Sequence, residues 1–285
     1  MFDRVYVEIG NICNMKCSFC AGTRRASKQM TVSEFDFICQ RLLGYTENLY
    51  FHVMGEPLLH PELDLLLKTA GKYGYKVSVT TNGTLLDRCG DILISNAEYL
   101  HRVSISLHAP EGNGINGSLK EYLDSVIGFA KRFCALDKNV IFRLWNLNSI
   151  ERAGKNSQNS TILEALKEEY GDEWTKRYSG YRLAYRTFLE LDEIFTWPSE
   201  SSAEPKDEGR CHALKRQIAV LADGTVVPCC LDSEGQIPLG NLFLESLADI
   251  LSSETARRMR NGFNSGKMEH PVCKKCTYAR RFSVK

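Results

Sequence analysis

Short apolar segments alternate with longer amphipathic segments along the first 195 residues of the chain. The short segments are continuously apolar or alternate between apolar and polar residues, which is typical of β-strands. The longer segments repeat apolar residues at helical spacing, and the first begins at a capping box formed by Thr31 and Glu34. Strands that alternate with helices predict an α/β fold with a parallel sheet. The six predicted strands are residues 5–9, 49–54, 76–81, 101–108, 140–145 and 185–195.

Six βα units are fewer than the eight that close a complete barrel, so the pattern predicts an open, partial (βα)6 barrel. The pattern changes near residue 198, where a polar stretch contains two prolines and several Ser and Glu residues. Beyond it, a hairpin is predicted around the turn Asp223-Gly224, followed by helical segments. We expect a barrel domain at residues 1–197, a linker at 198–209 and a small C-terminal β-hairpin and helix module at 210–285.

The polar residues of the predicted strands fall mostly on one face. In a barrel, one face of each strand meets the outer helices and the other lines the interior. On the fourth strand, for example, Val103 and Ile105 alternate with Ser104 and Ser106. The predicted interior is therefore polar and suited to a small-molecule substrate. The candidates on it for substrate binding or catalysis are Glu8, His52, His108, Glu190 and Asp192.

The composition and charge of the chain narrow the classes of partner. The 285 residues are 43% hydrophobic and 25% charged, with a formal net charge of +1. This balance does not indicate a nucleic acid or an anionic membrane as a partner. No apolar run is long enough to span a bilayer, and no signal-peptide pattern is present. We therefore expect a cytoplasmic protein.

Three of the eleven cysteines form one loop near the start of the chain. Cys13, Cys17 and Cys20 are spaced C-x3-C-x2-C and follow a strand that ends at Gly10. In a reducing compartment, metal binding explains such cysteines better than disulfides do. Three thiolates are one fewer than the four that usually hold a [4Fe–4S] cluster, so one metal position would stay open for chemistry.

A second group of cysteines lies in the C-terminal module. Cys211, Cys229, Cys273 and Cys276 are spaced C-x17-C-x43-C-x2-C around the predicted hairpin. Four thiolates suit a closed site for zinc or for an iron–sulfur cluster. Cys230 adjoins Cys229, and either could be the second ligand.

The motifs together resemble the radical S-adenosylmethionine superfamily. The resemblance rests on the cysteine loop with Phe19 before its last cysteine, and on the turn Met54-Gly55-Glu56-Pro57, which departs from the family's Gly-Gly-Glu-Pro only at Met54. Thr81-Asn82-Gly83 and the strand residues 104–107 also match. The tail, with Pro228-Cys229-Cys230 and the final CxxC, resembles the auxiliary-cluster modules called twitch or SPASM domains, in the shorter twitch form.

The resemblance implies two metal centres. Cys13, Cys17 and Cys20 would ligate three irons of a [4Fe–4S] cluster, and S-adenosylmethionine would bind the fourth. The other centre would be an auxiliary [4Fe–4S] cluster, with zinc as the alternative. It would have no open iron, and could relay an electron or brace the fold. Its implied ligands are Cys211, Cys229, Cys273 and Cys276.

The resemblance also implies the contacts of S-adenosylmethionine. Phe19 would lie against the adenine, and the backbone carbonyls of Gly55 and Glu56 would accept hydrogen bonds from the methionine ammonium. Asn82 is a further implied contact at the cofactor site. Ser106 and Arg143 are candidates for the ribose and the carboxylate, since a guanidinium pairs well with a carboxylate.

The expected activity follows from the same resemblance. A 5′-deoxyadenosyl radical would abstract hydrogen from a small polar metabolite, as in a queuine lyase of base salvage or a dehydrogenase of a sugar or cyclitol. The expected partners are that metabolite and an electron donor such as flavodoxin or ferredoxin, without nucleic acid or membrane. Two alternatives remain open: modification of a ribosomal peptide, and a non-catalytic Fe–S sensor or scaffold.

Overall fold

A computed structural model describes residues 1–111, 118–147, 158–198 and 201–282. The strands of these residues form one eleven-stranded sheet. In chain order they are β1 (Arg4–Val7), β2 (Asn48–Phe51), β3 (Lys76–Thr81), β4 (Leu100–Ser106), β5 (Asn139–Leu144), β6 (Thr175–Arg177), β7 (Gly180–Ala184), β8 (Thr187–Leu191), β9 (Gln217–Val220), β10 (Thr225–Val227) and β11 (Gly240–Asn241).

Helices separate the strands of the barrel, as the apolar pattern predicts. The first helix begins at the predicted capping box, in which Thr31 Oγ1 accepts the Glu34 N–H at 3.2 Å and Glu34 accepts the Thr31 N–H at 2.8 Å. The helices are α1 (Val32–Arg41), α2 (Leu63–Lys72), α3 (Leu86–Ser95), α4 (Leu119–Cys134), α5 (Asn159–Tyr170), α6 (Leu247–Ser252), α7 (Glu254–Asn264) and α8 (Pro271–Lys274), with 3-10 turns at Pro57–Leu59, Ala97–Tyr99 and Ala279–Phe282.

The sheet confirms the predicted partial barrel. Its order is β11-β10-β9-β1-β2-β3-β4-β5-β8-β7-β6, and β1, β2, β3, β4, β5 and β8 are parallel neighbours. The C-terminal hairpin lengthens this same sheet, because β9 pairs parallel to β1 with Val5 opposite Ile218. The C-terminal module thus shares the barrel's sheet at its first strand.

The sixth barrel strand is shorter than predicted and is preceded by a hairpin that the pattern did not predict. The strand is β8, Thr187–Leu191, instead of residues 185–195. The hairpin consists of β6 and β7, which pair antiparallel, and β7 also pairs antiparallel with β8. All three residues of β6 are exposed, so it lacks the buried apolar residues that reveal a strand in a sequence.

The core lies between the sheet and its helices, where the apolar residues of the barrel strands are buried against α1 to α4. The predicted domain boundaries remain a prediction, and residues 199–200 of the predicted linker lie outside the described residues. Among the described helices, none combines the length and apolar character that crossing a membrane requires.

Candidate functional site

The cysteine loop begins after β1, and its two ends are bonded to each other. The Asn11 N–H donates to the Lys28 carbonyl at 3.1 Å, and the Asn11 side-chain oxygen accepts the Lys28 N–H at 2.9 Å. The Met30 N–H donates to the Ile9 carbonyl at 2.8 Å. These bonds close the loop at its base and hold it at the carboxyl end of β1.

Cys13 and Cys20, the first and last thiols of the loop, each receive a backbone hydrogen bond. Cys13 Sγ accepts the Met15 N–H and Cys20 Sγ accepts the Gly22 N–H, each at 3.4 Å. The Cys20 N–H donates to the Cys17 carbonyl at 3.0 Å, which forms a tight turn between the last two cysteines. N–H groups directed at sulfur favour the thiolate, and thiolate donors suit iron–sulfur clusters.

The turn after β2 packs directly on the start of the cysteine loop. Gly55 has a φ of +82°, and a Cβ there would lie 2.3 Å from the Gly10 carbonyl oxygen. The next residue, Glu56, donates its N–H to the Ile12 carbonyl at 2.9 Å. Only glycine allows this close approach, so the turn and the loop fix each other's position.

The Glu56 carboxylate joins the ends of two neighbouring strands. One oxygen accepts the Asn82 N–H at 2.8 Å, and the other accepts the Leu58 N–H at 3.0 Å. Burial raises the pKa of Glu56, while these two hydrogen bonds oppose the rise. Both side-chain oxygens are thus bonded within the protein. The family resemblance implies that the backbone carbonyls of the turn, and not this carboxylate, contact the ammonium group of S-adenosylmethionine.

Asn82 links the end of β3 to the cysteine loop. Its side-chain nitrogen donates to Asn14 Oδ1 at 3.0 Å and lies 4.0 Å from Cys13 Sγ. Its side-chain oxygen accepts the Thr84 N–H at 2.9 Å, and the Tyr122 hydroxyl donates to its carbonyl at 2.9 Å. Asn82 is therefore a rigidly held neighbour of the predicted cluster ligands.

Phe19 and His108 form an aromatic pair at the same end of the barrel. Their ring centroids are 4.8 Å apart. The Trp197 indole donates to the Phe19 carbonyl at 3.1 Å, so the segment that follows β8 also holds the loop. Burial lowers the pKa of His108 to about 4, and its Nδ1 lies 3.1 Å from the Arg143 carbonyl. His108 is therefore neutral near pH 7, and it supports Phe19.

Arg143 and Ser106 are register partners on β5 and β4. Arg143 is 9% exposed and donates to Thr80 Oγ1 at 3.4 Å. Its Nε lies 3.4 Å from Glu190 Oε2, and its guanidinium lies 4.7 Å from the centre of the Trp145 ring. Ser106 is half-buried on the neighbouring strand, so both candidates for S-adenosylmethionine contacts lie side by side.

The other predicted candidates have different surroundings. Glu8 is fully buried; one oxygen accepts from Arg25 at 2.6 Å and from the Met54 N–H at 3.2 Å, and the other accepts the Ala222 N–H at 3.1 Å. Both Glu8 oxygens therefore have partners that brace the fold. Asp192 forms an ion pair with Arg281.

His52 lies inside the barrel, with its ring centroid 5.0 Å from that of Tyr6. Burial and the guanidinium groups of Arg143, Arg102 and Arg4 lower the pKa of His52 to about 3. His52 is therefore neutral near pH 7. A neutral imidazole at this position can form hydrogen bonds, but it does not carry the extra proton with which an imidazolium acts as an acid.

The four C-terminal cysteines pack against one hydrophobic core, while Cys230 does not. Burial, together with the nearby thiols of Cys230, Cys211 and Cys273, raises the pKa of Cys229. The Cys276 N–H donates to the Cys273 carbonyl at 3.1 Å, which closes the CxxC turn. Cys230 instead packs with Tyr6 on the inner face of the barrel. This arrangement favours Cys229 as the second ligand.

The arrangement of the cysteines also bears on which metal they suit. Across residues 1–111, 118–147, 158–198 and 201–282, no three His, Cys, Asp or Glu side chains are arranged to hold one metal ion. A zinc site gathers its sulfurs around a single ion at about 2.3 Å, whereas each thiolate of a [4Fe–4S] cluster binds a different iron. The donor sets, three thiols in one group and four in the other, are of the kind that holds iron–sulfur clusters.

Arg102, a charged side chain of the barrel interior, is not among the site residues predicted from the sequence. Arg102 donates to the Tyr50 hydroxyl at 2.9 Å, and its guanidinium lies 5.2 Å from the centre of the Tyr50 ring. The alternation of side chains along β4 could have identified Arg102, because it shares one face of the strand with Ser104 and Ser106.

Comparisons with known proteins agree with this site. Residues 7–140 match the model of the radical SAM superfamily, and residues 211–277 match the SPASM iron–sulfur cluster-binding domain. The match of residues 7–140 includes the first cysteine group, and that of residues 211–277 includes the second.

Individual relatives resemble different parts of the chain. A probable GTP 3′,8-cyclase of Pyrobaculum aerophilum is 31% identical over 109 residues, which are 36% of this chain and 34% of that protein. The antilisterial bacteriocin subtilosin biosynthesis protein AlbA of Bacillus subtilis is 22% identical over 298 residues, 95% of this chain and 64% of that protein. The chain spans about a third of the length of the first curated relatives it matches.

A solved structure with a similar fold covers almost the whole chain. The crystal structure of BtrN in complex with AdoMet and 2-DOIA has a TM-score of 0.62 and 16% sequence identity, and the match covers 97% of this chain and 93% of that one. At this identity, the likeness concerns the fold. It extends through the barrel and the C-terminal module.

Proposed function

The chain belongs to the radical S-adenosylmethionine superfamily and has a C-terminal SPASM-type module, and from this premise we propose that it is an enzyme acting on a small polar metabolite. The observation that carries the proposal is the meeting of three motifs at one end of the barrel. The Gly55-Glu56 turn lies against the cysteine loop, and Asn82 bonds to both. Such a constellation holds a cluster and its cofactor beside an interior lined with polar residues.

The residues present fit the [4Fe–4S] cluster and S-adenosylmethionine. Cys13, Cys17 and Cys20 would hold the cluster, since their loop supplies three thiols and backbone N–H groups directed at sulfur. When bound, the cluster and S-adenosylmethionine would together supply one-electron reductive cleavage of the sulfonium, with release of methionine, and abstraction of a hydrogen atom from the substrate. That electron would come from a small redox protein such as flavodoxin or ferredoxin.

The chain's own residues would position the cofactor. The backbone carbonyls of the Gly55-Glu56 turn would accept from the ammonium group, and the Phe19 ring would lie against the adenine. The side-by-side Ser106 and Arg143 would bind the ribose and the carboxylate. Neutral His108 would support Phe19 without adding a positive charge.

The C-terminal module would hold a second [4Fe–4S] cluster. Its four cysteines are all used as ligands in this proposal, so no iron remains open for substrate. The cluster would brace the module or pass an electron to or from the barrel. The proposed reaction is either that of a lyase, such as a queuine lyase, or that of a dehydrogenase. We also propose that the enzyme is cytoplasmic.

A ribosomal peptide is the second candidate substrate. The observation that favours it is the similarity to AlbA, a bacteriocin biosynthesis protein, over 95% of this chain. Against it stands the cavity of about 330 Å³ on the inner face of the barrel, which is within the range for small molecules.

The test is anaerobic incubation of the reconstituted protein with S-adenosylmethionine and dithionite. We expect 5′-deoxyadenosine to form in the wild type and not in the variant with Cys13, Cys17 and Cys20 all changed to alanine. The matched control is Cys39→Ala, a buried cysteine of α1 outside both groups. If the wild type forms no 5′-deoxyadenosine, the sensor or scaffold alternative is favoured.

A further inference from the structure

The inner face of the barrel carries more positive than negative charge. Arg102 on β4 and Arg143 on β5 both face this interior, and Glu190 lies beside Arg143 at 3.4 Å. The two other predicted interior acids are engaged, Glu8 by Arg25 and Asp192 by Arg281. In the described part of the chain, Arg102 has no carboxylate partner. The Arg102 guanidinium is therefore not neutralised by a carboxylate of the described residues.

Several buried polar atoms of this face lack hydrogen-bond partners among the described residues. Each belongs to a strand of the barrel or to the residue after it, and the strands involved are neighbours in the sheet. Buried polar groups are nearly always bonded, so a concentration of exceptions on one face indicates a ligand that completes them. The atoms are His52 Nδ1, Ser78 Oγ and Arg102 Nε; Arg143 Nε also lacks a hydrogen bond but lies 3.4 Å from Glu190 Oε2.

A cavity of about 330 Å³ is lined by one of these residues, Arg102. Its wall includes Arg102, Phe188 and Glu190, and the hairpin of β6 and β7 contributes Arg177 and Tyr181. A volume of this size lies in the range of small-molecule pockets, about 300–1,000 Å³. The cavity therefore presents the guanidinium groups of Arg102 and Arg177 and the carboxylate of Glu190 to any molecule that enters it.

We propose that the substrate carries a phosphate or carboxylate group that Arg102 binds in this cavity. The inference rests on the proposed function, since it names the class of molecule on which the radical acts. A guanidinium binds either anion through two parallel hydrogen bonds, and Arg102 has an unused Nε–H to offer. Glu190 would accept hydrogen bonds from a hydroxyl or amino group of the same molecule.

The position of Arg102 sets the length of that molecule. Arg102 lies four residues before Ser106 on β4, and a strand rises about 3.3 Å per residue, so about 13 Å separate the two positions. An anionic group at Arg102 and a reacting carbon near Ser106 require an elongated metabolite. A nucleoside monophosphate has about this length, and a sugar acid, which is shorter, probes only the binding of a carboxylate at Arg102.

Calorimetric titration of the reconstituted protein with paired probes tests the inference. The pairs are guanosine 5′-monophosphate with guanosine, and glucuronate with glucose. We expect the anionic member of one pair to bind at least tenfold more tightly than its neutral partner, and Arg102→Gln to remove that difference. The pair that shows it distinguishes phosphate from carboxylate.

Arg182→Gln is the matched control, because Arg182 is an exposed arginine of β7 that does not line the cavity. It should keep the wild-type affinities. If Arg102→Gln does not fold, Arg102→Lys is measured, and we expect an affinity for the anion at least threefold below wild type. Equal binding of charged and neutral probes, binding of neither pair, or an unchanged Arg102 variant overturns the inference.

The 5′-deoxyadenosine assay distinguishes a failure of the proposed radical chemistry from a failure of the proposed substrate class. A wild-type protein that forms 5′-deoxyadenosine but binds no anion through Arg102 refutes the substrate class and retains the radical chemistry. A protein that binds the anion through Arg102 but never forms 5′-deoxyadenosine refutes the proposed function and retains the anion site.

Discussion

Arg281 donates hydrogen bonds to both carboxylate oxygens of Asp192, at 2.8 and 2.7 Å. Arg281 also donates to the Glu193 carbonyl at 3.0 Å, and the Thr277 hydroxyl donates to the Thr196 carbonyl at 3.2 Å. The segment after the last cysteine is thus bonded to the segment after β8. These contacts fasten the C-terminal module to the barrel at the edge that carries the predicted cofactor contacts.

We predict that Asp192→Asn and Arg281→Gln each lower the free energy of unfolding by at most about 1 kcal/mol, because both side chains are about a third exposed. The double variant should lose little more unfolding free energy than the less stable of the two single variants, since both changes break the same ion pair. Urea unfolding of all four proteins measures this coupling. If Asp192 instead binds substrate, Asp192→Asn raises KM and Arg281→Gln does not.

The two adjacent cysteines of the C-terminal module should differ in iron binding. Cys229 lies near Cys211 and Cys273 and packs against the main core, whereas Cys230 packs with Tyr6 inside the barrel. We predict about eight irons per wild-type chain, about four in Cys229→Ala and about eight in Cys230→Ala. An iron assay after anaerobic reconstitution measures these values. Loss of iron in Cys230→Ala alone would reverse the assignment.

Gly55 should tolerate alanine far less well than Gly74 does. Both glycines have positive φ, +82° and +79°, but a Cβ on Gly74 meets nothing within 4 Å. Gly74→Ala should therefore cost only the backbone strain, about 1–2 kcal/mol. Gly55→Ala adds a clash with the Gly10 carbonyl oxygen and should cost at least about 1–3 kcal/mol more.

Urea unfolding of the two glycine variants gives the comparison. Because the clash displaces the start of the cysteine loop, Gly55→Ala should also lower the iron that the first cysteine group binds, while Gly74→Ala should not. Equal losses of stability in both variants would show that the close approach to Gly10 is easily relieved.

The parts of the fold that sequence reasoning predicted have local signals. The barrel strands, the Thr31 capping box and the cysteine spacing each occupy a short stretch, where periodicity or spacing is sufficient. Pairing between distant segments has no such signal. The parallel pairing of β9 with β1 and the bond from the Ala222 N–H to Glu8 join residues more than 200 positions apart.

The candidate site shows the same division. The alternation of side chains along each strand predicted that Glu8, His52 and Glu190 face the interior. It could not predict the partners of the two carboxylates, because packing between distant segments determines them. Arg25, which engages Glu8, comes from the cysteine loop, and nothing in its sequence context indicates that contact. The unpaired state of Arg102 could not be predicted either, because it follows from which acids the fold has already engaged.

The protonation of His52 gives the protein a specific dependence on pH. Burial, and then Arg143, Arg102 and Arg4, lower its pKa to about 3 in the folded protein. In the unfolded chain its pKa is about 6.5. Below pH 6.5 the unfolded state therefore binds a proton that the folded state does not, and stability falls as the pH falls from about 6.5 towards 3.

We predict that wild type loses about 1.4 kcal/mol more unfolding free energy than His52→Gln when the pH changes from 7.5 to 5.5. The variant lacks the titrating ring, so its smaller loss reflects the other groups alone. Urea unfolding of both proteins at the two pH values measures the difference. An equal loss of unfolding free energy in both proteins would mean that His52 accepts a proton in the folded barrel. Because three guanidinium groups lie nearby, an anion or water would then have to offset their charge.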